Sequence, residues 1–337
     1  MSLEEPLPAE PTAPAEGAPP DEASAEHEGL SPVEWRRNLL LFALTLLSVF
    51  HAGALYGDKL PKEGGWLATL KALPEGWPFA VSLLAILLVH EFGHYIAARL
   101  HGVDASLPFF IPFPFLSPMG TMGAVIAMRG RIRSRKALLD IGASGPLAGL
   151  AVAIPVLVLG LSLSEVKPLS EHGALEGQSL LYLLLKRVVL GPIPDGHDVY
   201  LGPVAFAGWG GLLVTSLNLI PIAQLDGGHI AYALFGLRQN RIARVLHWSL
   251  LGMFALNLIR FAWPIVKARA WSDLGGAVGN SMSWLVWFLL LGGLMRVGGR
   301  DHPPVEEGEL DPIRKGIAVF SLVLFVLLFM PTPWTNY

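Results

Sequence analysis

The stretch "VSLLAILLVHEFGHYIAARL" (81–100) is apolar except for Ser82 over its first nine residues and then carries two histidines, a glutamate and, at its end, an arginine. Its length suits a membrane helix, since a bilayer core takes about 20 mostly apolar residues in helical form. Ionisable side chains within such a span are costly, and they mark function by default. The stretch therefore sets the class of fold and also points to where the chemistry is.

The rest of the chain agrees with a membrane class. Of 337 residues 53% are hydrophobic and 15% charged, with mean hydropathy +0.51. A soluble domain is nearer a quarter charged. Seven stretches approach spanning length: 37–56, 79–100, 142–163, 203–222, 243–266, 277–297 and 315–331. The weakest are 203–222, rich in glycine and ending in "NLIPI", and 243–266, which holds Arg260 and Pro264. These predict a polytopic α-helical membrane protein of about six to seven transmembrane helices. "SLLYLLLKRVVLG" (179–191) is too short and too basic to span and reads as an interfacial or re-entrant helix.

Residues 1–30 contain eight acidic residues, six prolines and no Lys or Arg. Such a segment cannot bury enough apolar surface to offset its ordering entropy. We expect a disordered acidic tail over 1–32 and a membrane-embedded domain over 33–337. The tail resembles neither a secretory signal nor a transit peptide. With the N-terminus cytoplasmic and seven alternating spans, the cytoplasmic side holds 15 Lys/Arg and the opposite side 8. That bias favours a cytoplasmic N-terminus in the cell (inner) membrane. A net charge of −3 gives no reason to expect a nucleic-acid partner, and the absence of cysteine excludes disulfides, thiolate metal sites and a cysteine nucleophile.

Between the second and third spans lies "ASLPFFIPFPFLSPMGTMGAVIAMRGRIRSRKALLD" (105–140). Four prolines from Pro108 to Pro118 exclude helix there, and "GAVIAMRGRI" (123–132) reads as a strand. Apolar non-helical backbone at membrane depth is tolerated only when buried in protein or lining a cavity. We therefore expect a re-entrant β-strand and loop element over about 105–133.

His90 and His94 are four apart, which stacks both imidazoles on one helix face. Two such histidines can hold one zinc ion. Glu91, about 100° round the helix, can take a proton from a zinc-bound water, the H-E-x-x-H arrangement of zinc hydrolases. A catalytic site of this kind takes three protein ligands. The third must come from elsewhere, and "NLIPIAQLDGGHI" (218–230) offers Asp226 and His229. Asp226 lies past the apolar part of its span, so Pro221 would have to bend or unwind the chain to bring it level with the histidines.

In their order, the histidine span, the Pro/Gly-rich segment, "ASGPLAG" (143–149) and "NLIPIAQLDGGH" (218–229) resemble the site-2 proteases, intramembrane zinc metalloproteases. The wording is most similar to the branch that includes chloroplast homologues, over about 79–235. The resemblance implies zinc as cofactor, with His90, His94 and Asp226 as ligands, so that Asp226 is preferred over His229. It implies Glu91 as general base and Asn218 as a group that positions the substrate backbone or the developing oxyanion. Gly145 and Pro146 match the family's "GP" pair, which a helix start with Pro in its first turn also explains. No PDZ-like or CBS-like module is expected.

The function expected is hydrolysis of peptide bonds within or near transmembrane helices of membrane-protein substrates in the lipid bilayer. The strand at 105–133 would pair with an unwound substrate. Two rival classes are a metal-ion transporter, which would need a polar path across both leaflets, and a non-catalytic scaffold for membrane helices, against which Glu91 argues.

Overall fold

The computed structural model describes residues 32–115, 117–128, 132–169, 173–299, 301–306 and 308–336. The acidic tail at 1–31 and Arg129, Arg131 and Arg300, used above for orientation, lie outside the described residues. Helices fall on all seven apolar stretches. On them stand α1 (Pro32–Tyr56), α3 (Trp77–Leu100), α4 (Arg135–Ser162), α6 (Pro203–Asn218), α8 (Arg238–Ala268), α9 (Leu274–Gly298) and α10 (Pro312–Leu328), while the shorter α2 (Gly65–Ala72), α5 (Leu180–Leu190) and α7 (Asp226–Phe235) lie between them. Five segments are long and apolar enough to cross a membrane: Trp35–Tyr56, Gly65–Leu100, Arg135–Ser162, Arg238–Ala268 and Trp271–Val297. The protein is thus a polytopic helical membrane protein. Helices α6 and α10, with 16 and 17 residues, fall just short of that length.

Local chemistry sets the helix ends. Ser134 caps α4 by accepting from the Ala137 N–H at 3.1 Å, and Asp311 caps α10 by accepting from the Arg314 N–H at 3.0 Å. Pro203 and Pro312 stand in the first turns of α6 and α10, where a missing N–H costs nothing. α4 starts seven residues before the apolar run beginning at 142, because Ser134 and the amphipathic "RKALLDI" already nucleate it. Pro146 therefore lies inside α4 and not in a first turn, which corrects the helix-start reading of "GP". Arg260 and Pro264 leave α8 unbroken.

The centre of the fold is α3, α4 and α6, around buried Phe79, Leu83, Ile86, Leu157, Trp209 and Leu212. Small residues let these backbones meet: a Cβ at Gly208 would strike Leu157, and one at Gly160 would strike Ala205. α1 covers one flank and α7 and α10 the other. α8 and α9 form a hairpin held to the centre by Leu217, Ile220 and Ile222 against Leu250, Trp284 and Leu291. Leu40 and Leu47 on α1 and Leu256, Ile259 and Trp263 on α8 face outward, a surface that suits acyl chains.

Residues 105–128 are non-helical, as the prolines require. β1 (Phe109–Pro112) pairs antiparallel with β2 (Thr121–Val125), and the ladder continues through an Ala105–Met128 bridge. The strand expected over 123–132 is thus shorter and begins at Thr121; 129–131 lie outside the described residues. On the far side, β3 (Glu165–Pro168) pairs with β5 (His197–Tyr200), and β4 (Ala174–Glu176) with β6 (Trp334–Asn336). α5 lies among them and is amphipathic, but its Lys186 is buried. The ammonium donates to Asp198 at 2.7 Å and lies 3.6 Å from Glu176, which also accepts from the Tyr182 hydroxyl at 2.8 Å.

Candidate metal centre

His90 and His94 lie one turn apart on α3, buried where that helix packs on α4. The packing depends on what α4 lacks. A Cβ at Gly145 would overlap the His94 ring, and one at Gly149 would lie 3.1 Å from His90 Nδ1. The two glycines repeat the histidines' spacing of four, so each imidazole fills a place where a side chain is missing. Pro146 lacks an N–H, so the Gly142 carbonyl loses its helical partner. In that same turn the Ile141 carbonyl accepts from His94 Nδ1 at 2.7 Å. That bond fixes the proton on Nδ1 and leaves Nε2 as a lone-pair donor.

The third group arrives by a break in the chain. α6 ends at Asn218, because Pro221 cannot donate to a helix and disfavours helical geometry in the residue before it. Residues 219–225 form a tight turn in which Ala223 has φ 50°, and α7 restarts at Asp226. Gly227 and Gly228 permit this return, since a Cβ on either would strike the backbone carbonyl of Leu219 or Ala223. Asp226 then faces α3, with Oδ2 3.3 Å from His90 Nε2 and Oδ1 3.3 Å from His94 Nε2. The bend expected at Pro221 is present.

One ligand atom from each of His90, His94 and Asp226 lies within 4.8 Å of the other two, and His90 Nε2 and His94 Nε2 are 3.1 Å apart. Two imidazole nitrogens and a carboxylate, converging in a buried pocket, suit zinc by donor type and number. His229 takes no part in this cluster. Its Nδ1 is paired with His302 Nε2 at 2.8 Å, and its Cβ backs onto Gly142.

Glu91 is buried beside the cluster, with the Ile126 backbone N–H, just past β2, close to its carboxylate. Asn218 Nδ2 is 3.2 Å from His90 Nε2. The structure therefore brings together all five residues singled out in the sequence: His90, Glu91, His94, Asn218 and Asp226. The Ile141 carbonyl, the Ile126 N–H and the role of Gly149 could not be read from it. The i,i+4 glycine pair was visible in "ASGPLAG" but could not be matched to the histidines until α3 and α4 were known to face each other.

The description "Peptidase family M50" matches residues 78–259. The chain belongs to peptidase family M50. The match spans α3 to the middle of α8 and contains every residue of the cluster. It is also similar to "Probable zinc metalloprotease EGY2, chloroplastic" of Oryza sativa subsp. indica, with 30% identity over 269 residues, 79% of this chain and 45% of the relative. Its namesake in Arabidopsis thaliana is 27% identical over 317 residues, 92% of this chain and 51% of the relative. "Probable zinc metalloprotease EGY1, chloroplastic" of Arabidopsis thaliana is 34% identical over 166 residues, 47% of this chain and 30% of the relative. The chain spans about half the length of the EGY2 relatives or less. No solved structure matches it significantly.

Proposed function

We propose that the protein is an intramembrane zinc metalloprotease that hydrolyses peptide bonds within or near transmembrane helices of membrane-protein substrates. The observation that carries this reading is the convergence of His90, His94 and Asp226 beside a buried Glu91. The M50 family and the names of the relatives support it. A zinc ion on those three residues supplies Lewis acidity, which acidifies water and polarises a carbonyl. Glu91 sits one residue from His90 and holds the proton taken from the attacking water, then returns it to the leaving amine. The Ile126 N–H orients the Glu91 carboxylate for that exchange. Asn218 donates towards the same point and steadies the substrate carbonyl as charge develops on it.

The strand element gives the substrate a place to unwind. Residues 105–112 occupy one edge of 121–128, and no described residue pairs with the other. A substrate helix hides its carbonyls in its own hydrogen bonds. Pairing with that open edge compensates the bonds lost on unwinding and lays an extended chain beside Glu91. We further read the β1–β2 element as re-entrant and α6 and α10 as short spans completing seven. The charge bias supports a cytoplasmic N-terminus in a cell membrane, whereas the relatives are named as chloroplast proteins. With no native cysteine, single cysteines in the loops can be labelled from either side. Labelling of 238–241 from outside would overturn that orientation.

The deciding experiment uses the full chain reconstituted in vesicles with a helical membrane substrate. Glu91→Gln should keep zinc and lose cleavage, while His94→Ala should lose both. Full cleavage by Glu91→Gln would remove Glu91 from the mechanism.

A further inference from the structure

The α8–α9 hairpin is the least enclosed part of the membrane domain. Only 11% of the most apolar window of α8 and 22% of that of α9 are buried. At the end where α8 begins and α9 ends, the two helices part around a groove of about 410 Å³. Arg244, His247 and Trp248 of α8 and Phe288, Gly293 and Arg296 of α9 line it. Its floor is built: His247 stacks on Phe288 with ring centroids 4.4 Å apart, and Trp248 lies 5.4 Å from Phe288. A Cβ at Gly293 would meet nothing within 4 Å, so the groove is open there.

The charge at this groove is uncompensated. Arg244 and Arg296 form no ion pair with any described carboxylate, and neither helix contains an Asp or Glu. Arg244 Nε donates only to the Asn240 backbone carbonyl at 3.2 Å. His247 Nδ1 is buried with no hydrogen-bond partner. Two cations thus flank an aromatic, apolar trough with an unpartnered imidazole nitrogen in its floor. A second copy of this chain docking here by two-fold symmetry would bring arginine against arginine. An occupant needs an anionic head and an apolar body.

We propose that this groove is a specific binding site for one anionic diacyl phospholipid. The headgroup phosphate accepts from the Arg244 and Arg296 guanidiniums, and an acyl chain lies over Trp248, Phe288 and Gly293. The site is separate from the metal centre and does not depend on the proposed reaction.

Native mass spectrometry of the full chain in mild detergent tests this, with phosphatidylglycerol and phosphatidylcholine offered at equal concentration. The wild type should retain one phosphatidylglycerol in preference to phosphatidylcholine. Arg244→Gln combined with Arg296→Gln should lower that preference by about 10- to 30-fold, as the loss of two cations near a membrane surface implies. Lys267→Gln, at the opposite end of α8, should leave it unchanged. Gly293→Leu keeps both charges, fills the groove and suits a helix, and it should release the lipid. Equal retention of the two lipids, or an unchanged preference in the double variant, would overturn the proposal. So would displacement by inorganic phosphate alone, which would show an anion site with no need of the acyl groove, or equal loss in Lys267→Gln, which would show only general charge attraction.

Discussion

The glycine pair on α4 makes a graded prediction. An alanine at Gly149 places its Cβ 3.1 Å from His90 Nδ1 and 3.2 Å from His90 Cβ, where ordinary contacts begin near 3.4 Å. The His90 ring must yield by a few tenths of an ångström. An alanine at Gly145 overlaps His94 Nε2, Cδ2 and Cε1, so that ring must move on the order of 1 Å. His94 cannot simply swing aside, because its Nδ1 is held by the Ile141 carbonyl at 2.7 Å and its ring centroid is 4.9 Å from that of His90. Overpacking of this kind costs about 1–3 kcal/mol. Replacing a helical glycine by alanine recovers about 1 kcal/mol. Gly149→Ala should therefore be close to neutral in stability and keep zinc. Gly145→Ala should be destabilised by about 1–2 kcal/mol, and it should bind zinc poorly. Its cleavage rate should fall by about 10²-fold, the loss expected for such a misplacement of a catalytic group.

Zinc content by elemental analysis, the midpoint of thermal unfolding and the cleavage rate in vesicles give three separate readouts. Gly276→Ala on α9, where a Cβ meets nothing within 4 Å, controls for helix propensity and should be neutral or slightly stabilising. If Gly145→Ala carried wild-type zinc and cleaved at the wild-type rate, the close seating of His94 against α4 would be refuted. If Gly149→Ala were the worse of the two, the order of approach of the histidines would be wrong.

Three further outcomes follow from the same structure. Gly227→Ala would drive a Cβ into the Leu219 carbonyl and lift the start of α7, so zinc content should fall and the unfolding midpoint should drop, with stability lowered by on the order of 2 kcal/mol. Tyr182→Phe removes the 2.8 Å bond to Glu176, leaving that carboxylate only Gln178 and Lys186; it should cost about 1 kcal/mol in thermal unfolding and leave zinc content unchanged. At the start of α10, the Arg314 backbone N–H and guanidinium both donate to Asp311 and hold its carboxyl below the usual carboxylate range. A depressed folded-state pKa means a contribution present above the unfolded value and lost as pH falls through the folded one. The gap in unfolding midpoint between wild type and Asp311→Asn should thus be constant near neutrality and close in acid; a gap that widened in acid would contradict the pairing.

How far the sequence could be read depended on whether a feature was local. Apolar length is local, so a helix stands on each of the seven stretches, and the prolines from 108 to 118 kept 105–128 out of helix. The start of α4 was missed because "RKALLDI" is amphipathic and carries no bilayer signal; only the Ser134 cap marked it. The H-E-x-x-H pattern was legible because His90, Glu91 and His94 lie within little more than one turn. Asp226 was different. Its place depends on α6 stopping at Asn218, on Ala223 accepting a positive φ and on Gly227 and Gly228 letting α7 fold back against 219–223. No spacing rule encodes that path, and only the resemblance preferred Asp226 to His229. The structure supplies a physical ground for the same choice, since His229 is engaged by His302. The glycines at 145 and 149 lie between these cases. Their spacing of four was in plain view, but a missing side chain has meaning only opposite something that fills the space. That is why a pair facing His90 and His94 could pass for the start of a helix.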